Sequence, residues 1–440
     1  MQVSVEANEG LERRMKVELP AEKVNAAVER RLKEIARTAR LDGFRPGKVP
    51  LSVVRKRFAG QVQQEVFENL VQSSYFEALA HQKLQPAGEP SIEPLAAGPN
   101  GDMGYLAIFE VMPEIKLNDL SGTTIKRQAA RVEDHDLDAM IDKLRKQRTS
   151  WNPVEREARD GDQLTINFKG FMDGEAFEGG TADGVPLVLG SGSMIEGFED
   201  GLVGVSAGDS RTLELMFPEQ YQVDKLAGKP VTFEVEVTGV AEPVVPEVDE
   251  SFAKAFGVAG GGVDQLYAEI RANMERELAD KIRTGVKEQA MDALLQANPL
   301  DVPKVLVEQE SKALQLQTKE NMARSGQASS LELPVDLFEQ QARRRVALGL
   351  IIGEVIKQQK LEVDADRVRN KIQEFAQSYE DPQEVVDYYY SNKQQLASVQ
   401  NIVLEDQVVD WVVGQVQVED VASGFDEVMN PPVQETQSAE

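Results

Sequence analysis

From Leu266 onward an apolar residue returns at every fourth position, through Ile270, Met274, Leu278 and Ile282 to Val286. A helix of 3.6 residues per turn is the regular structure that gathers such a series on one face, and a run this long demands a long helix. Just upstream the period is different. RTLELMFP (211–218) and PVTFEVEVTGV (230–240) alternate apolar with polar residues, the pattern of half-buried strands. Between the two patterns, EPVVPEVDE (242–250) has the prolines and charges of a linker. A chain that changes period across a linker needs separate cores for its two kinds of face, and a length of 440 residues allows about two to four of them. The predicted class is a multidomain α+β protein.

Residues 2–6 and 12–19 read as short strands. Pro20 opens a helix on which Val24, Val28, Leu32, Ile35 and Ala39 share one face. The loop GFRPGKVP (43–50) follows, and Pro50 is expected in the first turn of a second helix lined by Phe58, Val62, Val66, Leu70 and Leu79. YLAIFEVMP (105–113) reads as a strand that closes an N-terminal α+β domain, residues 1–113. Residues 114–150 read as a charged connector belonging to a helical body, with a helix over 133–148.

A second module is expected over 151–245. QLTINFKGFMDGEAFEGG predicts a strand and a Gly-rich turn, VPLVLG a short strand, and MIEGFEDGLVGV (194–205) a short amphipathic helix. The sum is a small, bent antiparallel sheet around one short helix. Residues 246–432 are expected to be all-α. VALGLIIGEVI (346–356) reads as a buried core helix, too short and too charged at Glu354 for a bilayer span. DVPKVLVEQE (301–310) and ELPVDLFEQQ (332–341) open alike, with proline in the first helical turn, and suggest a pair of arms. The tail 433–440 is expected to be disordered.

Composition removes several chemistries. With no cysteine there is no disulfide, thiolate nucleophile or Cys-ligated zinc, and the two histidines, His81 and His135, are not spaced as a metal pair. No nucleophile elbow, zinc-protease helix, phosphate loop or dinucleotide fingerprint occurs. No cofactor and no metal are expected. The N-terminus lacks a signal-peptide pattern, so the expected location is cytoplasmic, with no membrane partner.

Charge is distributed unevenly. Residues 1–60 hold 14 Lys/Arg against 8 Asp/Glu, net +6, whereas the other 380 hold 34 against 67, net −33. An N-terminal part that meets a polyanion would have this form, and so would a helix with a solvated basic face. The loop weighs between them. Its glycines and prolines suit a turn, but a turn requires neither Phe44 at its tip nor Arg45 and Lys48 with no acid among them. That set suits phosphate contact by the cations and apolar insertion or stacking by the ring.

Two resemblances rest on these residues. The strand and turn NFKGFMDGEAFEGG, the segment LVLGSGSMIEGFEDGLVGVSAGD and the strand VTFEVEV resemble the FKBP-type peptidyl-prolyl isomerases over about 161–245. The resemblance implies a catalytic pocket of Phe168, Phe177, Glu178, Ile195, Phe198, Tyr221 and Phe233. Glu178 stands where that family commonly has Asp, and Phe198 where small members often have Trp. Such a pocket suits the reaction: rotation about an X–Pro bond faces ~18–20 kcal/mol of lost amide resonance, and no covalent bond need break. An apolar, water-poor cleft can favour the twisted amide over the planar one.

GFRxGKxP between two helices, followed by that module and a helical C-terminal half, resembles the trigger factor family of bacterial ribosome-associated chaperones over nearly the whole chain. The resemblance implies docking on the large ribosomal subunit, on ribosomal protein and rRNA near the exit tunnel, through Gly43, Phe44, Arg45, Gly47, Lys48 and Pro50. It further implies ATP-independent holding of nascent and unfolded polypeptides by the helical arms, and leaves room for a weak homodimer off the ribosome. Two alternatives stay open: a free-standing prolyl isomerase with a client-binding helical domain, and an RNA-binding regulator.

Overall fold

The computed structural model describes the chain apart from residues 8–9, 39–43, 45–48, 96–101, 173, 222, 224–225, 259, 261, 326–332, 378, 380 and 432–440 and the side chains of residues 7 and 178. It divides into two compact units, residues 1–127 with 284–420 and residues 128–283 with 421–440.

The first unit begins with β1 (Gln2–Ala7), β2 (Glu12–Leu19), α1 (Ala21–Thr38), α2 (Leu51–Gln82), β3 (Ser91–Leu95) and β4 (Met103–Glu110). The strands form an antiparallel sheet in the order β1-β2-β4-β3. Alternation turns Met15, Val17 and Leu19 of β2 and Tyr105, Ala107 and Phe109 of β4 to one face. There they meet Val71, Tyr75, Ala78 and Leu79 of α2 in a closed core. A second cluster, Leu32 of α1 with Val54, Val62 and Val66 of α2, joins the two helices. Pro50 caps α2 in an extended conformation instead of occupying its first turn. An extended residue there is compatible with its fixed φ, and its carbonyl still accepts from Val53 and Val54.

Next come β5 (Thr124–Ala129) and α3 (Asp134–Gln147), so the charged connector carries a strand as well as its helix. Then follow β6 (Ser150–Pro153), β7 (Gln163–Met172), β8 (Glu175–Val188), β9 (Ser210–Met216) and β10 (Pro230–Val244). These form an antiparallel sheet ordered β6-β10-β7-β8, with β9 also on β10. Register shifts in β10 between Val237 and Gly239, and twice along β7–β8, bend it. The turn is confined to the start of the Gly-rich stretch, and VPLVLG is mostly the end of β8, which runs on through Gly179 and Gly180.

The expected helix over 194–205 does not form. The segment is a series of turns with a single 3-10 turn at Asp200–Leu202. Gly197 and Gly204 sit at φ +84° and +81°, outside the right-handed helical region, while Phe198, Leu202 and Val205 still reach the core.

The remaining elements are α4 (Glu250–Ala255), α5 (Gly262–Ala297), α6 (Lys304–Arg324), α7 (Glu339–Gln359), α8 (Ala365–Ala376), α9 (Pro382–Ser391), α10 (Lys393–Gln415), β11 (Gln417–Ala422), which pairs with β5, and α11 (Phe425–Met429). Within the second unit, Leu266, Ile270, Met274 and Leu278 of α5 pack on Leu137 and Ile141 of α3 and on Phe252 of α4. Within the first unit, Ala290, Met291 and Leu294 of α5 pack on Ile351 and Val355 of α7 and on Val408 and Val412 of α10. That makes α7 the buried helix its apolar run predicted. α6 and α7 pair through Val307, Leu314, Ala342 and Ala347. Pro303 caps α6, and Pro334 caps a 3-10 turn (Val335–Phe338) leading into α7, so both prolines stand one position before the expected first turn. Among the described residues no helix is long and apolar enough to cross a membrane.

Candidate functional site: an aromatic cleft

Four phenylalanines from three strands and the turn segment converge in the second unit. Phe168 of β7 lies 6.2 Å from Phe198 and 6.0 Å from Phe233 of β10, ring centre to ring centre. Phe177 of β8 lies 6.1 Å from Phe233, and Phe198 lies 5.3 Å from it. All four contacts are edge-to-face, the arrangement ring quadrupoles favour. Phe198 and Phe233 are buried, whereas Phe168 and Phe177 are half-buried, so the group has a closed floor and an open side. Ile195 and Tyr221, both half-buried, pack against the same core, as do Met194 and Val185.

Two glycines make the convergence sterically feasible. A Cβ at Gly170 would stand 2.5 Å from the Phe177 ring and 2.8 Å from Phe233, and one at Gly180 would stand 2.6 Å from Phe177. The Phe177 ring thus occupies space vacated by Gly170 on the neighbouring strand β7 and by Gly180 on its own strand β8. Sequence reasoning missed both residues as determinants of the site. It also missed Phe217, buried, whose ring is 6.0 Å from Phe177 and 4.6 Å from Tyr221 and links the two. The alternation in RTLELMFP was the available signal. Glu178 lies outside the described side chains. Among the described residues no group of acids and histidines could hold a metal. Chemically, the cleft can bury an apolar ring and exclude water from an amide beside it.

The segment before Phe198 is fixed by an acid. Glu199 is 8% exposed. Its Oε1 accepts from the amides of Ser193 (2.9 Å) and Met194 (3.2 Å) and from the Ser191 and Ser193 hydroxyls (3.2 and 3.3 Å), and its Oε2 from the Gly192 amide (3.0 Å). Burial acts to raise its pKa, but the amides of Gly192, Met194 and Ser193 and the Ser191 hydroxyl outweigh burial and hold the carboxyl below its usual range. The next amide, that of Ile195, has no hydrogen-bond partner among the described residues. Asp162 is a second buried acid of the same sheet, paired with Arg156 (3.1 Å from Nη2) and accepting from the Arg159 amide (2.8 Å). Burial opposes its ionisation, and Arg156 and the Arg159 amide together reverse that and lower its pKa.

Of the N-terminal loop, Phe44 is described and is 40% exposed, and Pro50 caps α2. Gly43, Arg45, Gly47 and Lys48 lie outside the described residues. On the flanking helices, Arg31 pairs with Glu65 (2.8 Å) and Glu34 (3.2 Å), and Arg55 pairs with Glu29 (3.0 Å). Arg30, Arg37, Lys56 and Arg57 are exposed and form no ion pair among the described residues. These four were visible in the sequence only as part of the local charge excess.

Residues 1–144 match the family described as "Bacterial trigger factor protein (TF)" and residues 262–414 its C-terminal counterpart, while residues 154–238 match "FKBP-type peptidyl-prolyl cis-trans isomerase". The trigger factor of Pseudomonas paraeruginosa (strain DSM 24068 / PA7) is 49% identical over 431 residues, 98% of each chain. That of Pseudomonas fluorescens (strain SBW25) is 48% identical with the same coverage. A solved structure from "Promiscuous Substrate Recognition in Folding and Assembly Activities of the Trigger Factor Chaperone" aligns at TM-score 0.47 and 17% identity, over 94% of this chain and 100% of that one.

Proposed function

The chain belongs to the trigger factor family and carries an FKBP-type domain, and from that premise we propose that it holds nascent polypeptides at the exit of the large ribosomal subunit and isomerises X–Pro bonds in the aromatic cleft. Residues 1–113 are the docking domain in this reading, 151–245 the isomerase, and 114–150 with 246–432 the client-holding body and arms. The observation that carries the isomerase assignment is the half-open aromatic group itself. A proline ring seated on Phe198 and Phe233 leaves its preceding amide among apolar side chains, where the twisted form loses less solvation than the planar one. The unpartnered amide of Ile195 supplies a donor for a substrate carbonyl. Nothing in this needs a nucleophile or a bound ion.

Docking is assigned to Phe44, Arg45 and Lys48 with Gly43, Gly47 and Pro50 shaping the loop. Arg30, Arg37, Lys56 and Arg57, exposed and without an ion pair among the described residues, extend the cationic surface on both flanking helices. Client holding without nucleotide, by exposed apolar residues such as Leu316 and Leu337 within charged helical surfaces, completes the reading. Co-sedimentation of the full chain with ribosomes tests the docking part: a Phe44→Ala, Arg45→Ala, Lys48→Ala variant should stay in the supernatant. If it pellets like the parent, the docking assignment is wrong. A proline-peptide assay tests the other part, since Phe198→Ala should slow cis/trans exchange about a hundredfold in a chain that still folds. An undiminished rate would remove the cleft from the mechanism.

A further inference from the structure

A buried carboxylate that accepts from five donors within one short segment does more than neutralise itself. Ser191, Gly192, Ser193 and Met194 all donate to Glu199, and three of these donors are consecutive backbone amides. The segment has little else to hold it. It has no strand partner, Gly192 adopts φ +67°, and its residues 191–193 are exposed. Past these amides the chain reaches Ile195, half-buried on the aromatic core, and three residues later Phe198, the buried floor. Phe198 is also the immediate neighbour of Glu199, so the same turn that buries the ring brings the carboxylate under the wall. The amide of Phe198 donates to the carbonyl of Ile195 (3.1 Å), closing that turn.

We propose that Glu199 is a positioning residue of the isomerase cleft: by collecting the amides of Gly192, Ser193 and Met194 it fixes the 191–195 wall, so that the side chain and the unpartnered amide of Ile195 are presented to substrate. This rests on the reading of the cleft as an isomerase site. The carboxylate touches no reacting atom, and its effect passes through the wall. Replacing it with an amide puts an NH2 donor against a set of donors, because at least one oxygen now serving as an acceptor is lost. The wall then loses its anchor while the four rings stay in place. With the wall loose, the side chain and amide of Ile195 no longer orient the substrate in the cleft, so kcat/KM should fall.

The test compares Glu199→Gln with Asp162→Asn in the full chain. Asp162 is as deeply buried and also accepts several hydrogen bonds, but its partners are Arg156 and the Arg159 amide, and among the described residues its side chain makes no hydrogen bond to the wall. Isomerisation of a proline peptide is normalised to the folded fraction, and amide hydrogen exchange is read at Gly192, Ser193 and Met194. Glu199→Gln should lose protection at those three amides and fall about ten- to a hundredfold in kcat/KM. Asp162→Asn should keep both on its folded fraction. An unchanged rate in Glu199→Gln, or an equal loss in Asp162→Asn, overturns the proposal, the latter by reducing Glu199 to general support. Phe233→Ala in parallel separates the two levels. If Phe233→Ala folds and keeps full activity, the cleft reading falls and this proposal with it; if Phe233→Ala is inactive while Glu199→Gln is normal, the proposal falls alone. Should Glu199→Gln fail to fold, Ser191→Ala with Ser193→Ala removes only the two hydroxyl donors. That pair should cost about fivefold in kcat/KM, and no loss would overturn the proposal.

Discussion

The N-terminal sheet and the sheet of the FKBP-type domain are built from similar materials and end differently. Each is antiparallel, and each turns alternating apolar residues and aromatic rings to one face. What covers the face differs. The N-terminal sheet lies under α2, a helix of 32 residues, and the rings between them vanish: Tyr105 and Phe109 of β4 are 0% and 4% exposed, and Tyr75 of α2 is 5% exposed. The FKBP-type sheet lies under residues 190–205, which manage one 3-10 turn of three residues. Such a cover buries Phe198 and Phe233 but leaves Phe168 and Phe177 half-open. A long helix makes an aromatic face into a core, whereas a short glycine-rich turn leaves it half-open.

The comparison breaks if aromatic truncation in the two sheets has the same consequence. Phe233→Ala removes the ring that touches the other three, and Phe109→Ala removes one that meets Tyr75 edge-on at 5.6 Å. Each should cost about 3–5 kcal/mol of stability. Measured per folded molecule, only Phe233→Ala should also lower proline isomerisation, by about a hundredfold. Equal activity in the two variants would mean that the open face is merely a badly covered core.

A smaller effect is expected from adding a single carbon. Gly170→Ala would press on Phe177 and Phe233 at 2.5 and 2.8 Å, and relieving that overlap should cost about 1–3 kcal/mol. In the N-terminal sheet Gly104 of β4, which alternation places on the face opposite Tyr105, meets its nearest atom, the Val17 carbonyl oxygen, at 3.2 Å. Gly104→Ala should therefore destabilise less, and thermal unfolding of both variants followed by sheet-specific signals would rank them. If Gly104→Ala proved the more harmful, ring crowding would not be what reserves residue 170 for glycine.

Much of this contrast could be read before any coordinates, and the rest failed for local reasons. The alternation of PVTFEVEVTGV and the steps of four from Leu266 each give an element of the expected type, because in both one face is buried along most of the run, the alternation breaking only at the register shift between Val237 and Gly239. MIEGFEDGLVGV misled because Ile195, Phe198, Leu202 and Val205 repeat at helical steps, while Gly197 and Gly204 take conformations that a helix excludes. β3 was invisible, since SIEPL carries a proline and has no alternation, and it is an edge strand where proline is tolerated. β5 and β11 pair across about two thirds of the chain, a contact no local pattern announces. Within the cleft the four phenylalanines came from the FKBP resemblance. The parts that make room for them or hold them did not: Gly170 and Gly180 matter through the missing Cβ, and Glu199 matters through backbone donors that every residue possesses.

The smallest effect separates the two faces by pH. The Tyr75 hydroxyl is buried without a hydrogen-bond partner, and burial first, then the neighbouring Tyr105, pushes its pKa up to about 12. Below the ordinary phenol value of about 10 the neutral ring is present in folded and unfolded chains alike. Above it the unfolded chain gives up the proton and the folded one keeps it, so this contribution to stability is lost as the pH rises toward about 12. The FKBP-type sheet has the opposite sign. Asp162 and Glu199 have lowered carboxyl pKa values, so their contribution is present above the ordinary carboxylate range and is lost as the pH falls through the lowered values. The closed face should therefore loosen first in alkali and the open one first in acid, which amide exchange in the two sheets of the full chain would resolve. Tyr75→Phe removes an unsatisfied hydroxyl. It should be near neutral for stability at pH 7 and should blunt the alkaline loss. Alkaline exchange in β4 that is the same with and without the hydroxyl would show that the closed face is limited by something other than this phenol.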